Sequence, residues 1–154
     1  MKIINRNKGF SIVELMIVMV ILGVLVAIAI PYFNGSKIKA DLADAATELV
    51  TINMKIAQNK INMLSGKTTK ADIEKIVKNN VGISNNVTQK FNIGVKCASD
   101  DICSKYHLYA QPKNGKEINK GLWLSSEEAI LYTCDASLNL KDLNSASTNN
   151  NCTK

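Results

Sequence analysis

The sequence holds only two prolines, eight glycines, one histidine, one tryptophan and 5% aromatic residues in 154 positions. So little Gly and Pro excludes a collagen-like chain, and a hydrophobic content of 46% excludes wholesale disorder. The lone histidine, His107, and the absence of any C-x2-C spacing leave zinc without a ligand set, so no metal is expected. No G-x-S-x-G, H-E-x-x-H, phosphate loop or dinucleotide fingerprint occurs, so nothing points to an enzyme or to a bound cofactor. His107 lies in a strand-like run and reads as structural or exposed. Glu127-Glu128 reads as a solvated turn rather than a catalytic pair. Trp123, Tyr106, Tyr109 and Tyr132 suit the packing of a sheet better than the stacking of bases.

Positive charge exceeds negative by six (19 Lys plus Arg against 13 Asp plus Glu), yet it is unevenly spread. Lys2, Arg6 and Lys8 precede the first apolar run, so the chain after residue 9 carries only +3 (6 minus 3). A strongly basic nucleic-acid binder is not the natural reading of that remainder. Lys90, Lys96, Lys105, Lys113, Lys116 and Lys120 could still form a strip for DNA phosphates, with a solvated lysine surface as the simpler reading.

Charge is scarcest at the start. Residues 10–33 contain one charged side chain, Glu14, and residues 15–30 are uncharged and almost wholly apolar. As a helix, residues 10–30 would extend roughly 31 Å, enough to cross a bilayer core. The basic residues before them would hold the N-terminal side in the cytoplasm and send the rest of the chain across. A secretory signal with the A-x-A triplet Ala27-Ile28-Ala29, a permanent anchor, and an anchor that doubles as an assembly element all fit this pattern. Glu14 favours the third. A carboxylate near the bilayer centre costs about 2.5–3.5 kcal/mol, less near a helix end, and a plain signal or anchor gains nothing from it. If the chain were cut after Gly9, the new amine of Phe10 on a neighbouring copy would be a suitable cation.

Lys8-Gly9-Phe10-Ser11-Ile12-Val13-Glu14-Leu15 resembles the processing signal of type IV pilins, with the short leader of the type IVa subclass. The apolar run that follows is similar to that family's N-terminal helix, including Gly23 and Pro31, where the helix bends or weakens. The resemblance covers residues 8–33 closely and the remainder in layout. It implies a leader at 1–9, a transmembrane and assembly helix at 10–36, and a globular head at 37–154. Gly9 would end the leader, a prepilin peptidase would cut there and N-methylate Phe10, and Glu14 would pair between subunits. It implies a subunit stored in the inner membrane and polymerised with copies of itself and other pilins into an extracellular helical filament. Such filaments support adhesion, twitching motility or DNA uptake. The alternatives are a minor pilin that binds a host surface or DNA, and a type II secretion pseudopilin.

Beyond the apolar run, Ile38, Leu42, Ala45, Leu49, Ile52 and Ile56 recur every three or four residues, while Lys37, Lys39, Asp41, Asp44, Glu48 and Lys55 take other faces. One helix is therefore expected over 10–63, apolar all round and then amphipathic, with Ser65-Gly66 as its stop. Thr69-Lys70-Ala71-Asp72 offers a capping-box start for a short helix to about residue 79. Residues 79–89 read as loop. Strands are expected at 91–95, 106–111, 121–125 and 129–133, with Pro112-Lys113-Asn114-Gly115-Lys116 as one turn and Ser126-Glu127-Glu128 as another. The expected fold class is α+β: an antiparallel meander covered on one face by the amphipathic half of the long helix, the arrangement that the resemblance to pilins implies. Residues 135–154 read as a polar, weakly structured tail.

Cysteines 97, 103, 134 and 152 all fall in the part placed outside the cytoplasm, and an even count suggests two disulfides. Three pairings are open. The preferred one is Cys97–Cys103, a tight local loop, with Cys134–Cys152, which ties the tail to the last strand and resembles the cysteine-bounded C-terminal loop of pilins. The first pair is less typical of the family's simplest members.

Overall fold

A computed structural model describes residues 9–62, 68–78, 84–98, 102–113, 117–146 and 148–154. The leader residues 1–8, the expected stop at Ser65-Gly66, the loop at 79–83 and the turn residues Asn114, Gly115 and Lys116 lie outside them. The chain divides into two compact units, Met1–Lys37 and Ile38–Lys154.

Helix α1 (Ile12–Asn62) is the backbone of the first unit and continues into the second. It runs unbroken through Gly23 and through the backbone of Pro31. From Phe10 to Phe33 each described side chain is exposed. The hydroxyl of Ser36, just past this stretch, donates to the Tyr32 carbonyl at 3.3 Å, so its polarity is satisfied within the helix.

In the second unit α1 has an inside and an outside. Ala45, Leu49, Ile52 and Ile56 are completely buried, and Ile38 and Leu42 pack against them at the margin. The charged residues of this half are not all solvated. Asp41 pairs with Lys90, and Glu48 accepts the backbone N–H of Ser84 at 3.0 Å. Helix α2 (Lys70–Lys78) contributes Ile73 and Val77 to the same core. Its start is a reciprocal box: the Thr69 N–H donates to Asp72 at 3.2 Å, and the Asp72 N–H donates to the Thr69 hydroxyl at 3.3 Å. The Thr69 hydroxyl also donates to the Asp72 carboxylate at 2.6 Å, and this bond, with the one from the Thr69 N–H, holds the carboxyl below its ordinary range.

Five strands follow: β1 (Phe91–Cys97), β2 (Tyr106–Pro112), β3 (Lys120–Ser125), β4 (Leu131–Asp135) and β5 (Cys152–Thr153). They pair in the order β1-β2-β3-β4-β5, antiparallel throughout. One sheet face carries Phe91, Tyr106, Leu108, Ala110, Leu122 and Leu124, which form one cluster with the apolar stripe of α1. Tyr106 is pinned at this seam. Its hydroxyl donates to Asn53 at 2.7 Å, and the Lys60 ammonium sits 4.7 Å from its ring centroid.

Three local expectations are corrected. Residues 85–89, read as loop, belong to a short helix α3 (Asn85–Lys90). An Asn-rich hexapeptide has poor helix propensity, and burial of Val87, 2% exposed, outweighs it. The last long strand starts at Leu131 rather than 129 because Ala129 takes a left-handed φ of 52° and its N–H closes a turn onto the Ser125 carbonyl at 3.1 Å. The tail is not weakly structured. Leu140 and Ala146 are buried with Trp123, Tyr132 and Cys134, and Leu138 and Leu143 pack beside them. The tail thus covers the second sheet face. Gly121 leaves room for it, since a Cβ there would collide with Leu140 and with the Ala110 carbonyl. Cys97 is bonded to Cys103, and Cys134 to Cys152.

Candidate assembly site

Phe10 is exposed, and Gly9 has open space where a side chain would be. Ser11 occupies the cap position just before α1, and Glu14 falls in the first turn. The Glu14 Oε2 accepts the backbone N–H of Ser11 at 3.0 Å, and the Ser11 Oγ accepts the N–H of Val13 at 3.3 Å. This is a capping box of sequence S-x-x-E in which Glu14 reaches back to the cap amide while Ser11 caps the amide of Val13 rather than that of Glu14. It satisfies two of the amides that open any helix without a partner, and it sets a negative charge against the positive end of the helix dipole.

Even a plain anchor therefore gains a helix cap from Glu14, contrary to the expectation that it gains nothing. The carboxylate has a partner in its own chain, so its cost in an apolar layer is partly offset before any neighbour arrives. Ser11 is the residue that sequence reasoning passed over. The signal was legible: Ser11-Ile12-Val13-Glu14 has the same form as Thr69-Lys70-Ala71-Asp72.

From Ile12 onward α1 is long and apolar enough to cross a membrane. Leu25, Ile28, Ala29 and Tyr32 outline an open apolar depression on its surface.

The head offers less. A cavity of about 300 Å³ is lined by Lys96, Tyr106, His107, Trp123, Ser125 and Glu127 among others. Its charges are already matched: Lys96 pairs with Asp142 at 3.1 Å and Lys105 with Glu127 at 2.7 Å. His107 stacks on Trp123 with ring centroids 5.1 Å apart, and its Nε2–H donates to the Lys141 carbonyl at 3.1 Å. Burial holds the imidazole below its usual range, against the opposing pull of that carbonyl. Glu127 and Glu128 part company, for Glu128 accepts the Tyr132 hydroxyl at 2.7 Å. Of the lysines considered for a DNA strip, Lys90, Lys96 and Lys105 are paired with carboxylates and Lys113 donates to the Thr88 carbonyl.

The family model of the prokaryotic N-terminal methylation motif matches residues 4–30. The chain is 30% identical over 149 residues to a fimbrial protein of Moraxella nonliquefaciens, covering 94% of this chain and 91% of that one. It is 34% identical over 74 residues to the type II secretion system core protein G of Dickeya chrysanthemi, 48% of each chain. It is 34% identical over 77 residues to the protein of that name from Vibrio cholerae, 50% of this chain and 53% of that one. The chain therefore spans about half the length of these secretion-system relatives. No solved structure matches it significantly. A methylation motif, an exposed apolar helix and a fimbrial relative matched almost end to end together place this chain in the type IV pilin-like family.

Proposed function

We propose that this chain is a structural subunit of a type IV pilus, without enzymatic activity, that is held in the inner membrane and then built into an extracellular filament. The observation that carries the reading is the N-terminal stretch of α1, exposed along its whole apolar length with one carboxylate at its start. Residues 1–9 are the leader, 10–36 the membrane and assembly helix, and 37–154 the head; the division of the chain after Lys37 supports the second boundary. A prepilin peptidase hydrolyses the Gly9–Phe10 bond and methylates the amine this frees. Glu14 then meets the Phe10 amine of an adjacent copy, with Gly23 and Pro31 as points where the helix yields. Lipid tails are as apolar as the helix, so leaving the bilayer brings little hydrophobic gain. Packing and the Glu14 pair supply specificity.

Glu14→Ala should be processed normally yet fail to enter filaments. Filaments of normal yield carrying this variant would refute the assembly role. Mass spectrometry should find a mature chain that starts at Phe10 with one added methyl group; a chain starting at Ile30 would mean ordinary secretion. The second reading, a type II secretion pseudopilin, is favoured by the relatives named core protein G, but they match only about half of the chain. Abundance in sheared, purified filaments separates the two, and salt-dependent retention of DNA by those filaments would add a DNA-binding role in uptake. Adhesion to host surfaces and twitching are the further roles such a filament would serve.

A further inference from the structure

We propose that Ser11 is a positioning residue for assembly: the Ser11–Glu14 capping box commits one carboxylate oxygen of Glu14 to the chain's own first turn and presents the other to the amine of an adjacent copy. The inference rests on the assembly role of Glu14 argued above.

Three observations carry it. First, the box uses Oε2 alone, with the Ser11 N–H at 3.0 Å. Oε1 makes no hydrogen bond among the described residues, and a carboxylate has lone pairs for several donors. Second, the bond that leader removal breaks is Gly9–Phe10, where water adds a hydroxyl to the Gly9 carbonyl and leaves an amine on Phe10. The Ser11 N–H belongs to the next peptide bond and survives, so the box passes intact from precursor to mature chain. Third, the Ser11 Oγ accepts the Val13 N–H, which fixes the first turn against which Glu14 folds back. A glutamate side chain free to rotate would have to be ordered when its partner arrives; here that ordering is complete beforehand. Glu14 thus has one carboxylate oxygen held by its own chain and the other left for an adjacent copy.

The test uses the full chain in cells that build filaments, with filament-incorporated subunit measured as a ratio to cleaved subunit. Ser11→Thr and Ser11→Asn keep a capping oxygen, whereas Ser11→Ala and Ser11→Val lack one. The first pair should incorporate at the normal ratio. The second pair should fall about fivefold, the equilibrium equivalent of one lost N-cap. Ser11→Ala added to Glu14→Gln should lower the ratio no further than Glu14→Gln alone, because the serine acts through the carboxylate. Normal incorporation of the Ala and Val variants, or a loss that multiplies with that of Glu14→Gln, overturns the proposal. Normal incorporation of Glu14→Gln alone would instead remove the assembly reading itself, and the positioning role with it.

Discussion

Two stretches of one helix follow opposite rules. Residues 12–33 expose every described apolar side chain, while residues 38–62 of the same helix send four residues to complete burial. The difference is not one of hydrophobicity alone. In the second stretch charged residues break the apolar surface into a stripe, and a sheet of the same unit covers that stripe. In the first there is no polar face, so a cover on one side alone could not satisfy it. An apolar helix left exposed among the described residues is better evidence of function than a buried one, because burial already explains the latter.

This contrast can be broken experimentally, beginning with the largest effect. Leu49→Ala removes a fully buried side chain and should cost about 2–5 kcal/mol in chemical denaturation of the detergent-held chain, followed by Trp123 fluorescence. Leu22→Ala, in the exposed stretch, should leave that denaturation curve unmoved while lowering filament yield. Equal losses of stability in both variants would show that the first stretch has a cover inside the chain. Next, Cys134→Ser with Cys152→Ser opens the loop that fastens the tail. The chain-entropy model sets the loss near 3 kcal/mol, measured as a shift of the same denaturation midpoint.

The smallest effect is one of pH. Burial lowers the pKa of His107 in the fold, so the neutral ring is the form the fold prefers. Its contribution to stability is complete above the unfolded value near 6.5 and is lost as the pH falls through the lowered folded value. The denaturation midpoint should therefore drop between pH 7 and pH 5 more in the unaltered chain than in His107→Phe, which keeps a ring on Trp123 without a proton to bind. Identical pH profiles would show that the ring's environment does not discriminate between its two forms.

Legibility in the sequence varied with the range of the interaction responsible. The stripe of α1 could be read because a helix repeats every 3.6 residues, and the alternation of Leu108 and Ala110 with His107, Tyr109 and Gln111 because a strand repeats every two. The Thr69–Asp72 box was equally readable, and so was its counterpart at Ser11. The first residue of β4 was not readable, since nothing in Glu128-Ala129-Ile130 announces a left-handed alanine. Nor was the role of the tail. Four apolar residues scattered through a polar segment make no pattern by themselves; they acquire one only opposite Trp123 and Tyr132.

The sequence alone determined what depends on near neighbours: a run too apolar for water, a stripe at helical spacing, alternating strands, caps, and a carboxylate at the head of a greasy helix. Only the tertiary structure decided which side of the sheet each segment covers, which residues of the tail become core, and why a poor helix former such as residues 85–90 coils at all. Those outcomes turn on burial against partners far along the chain, and such free energy appears only once the partners have met.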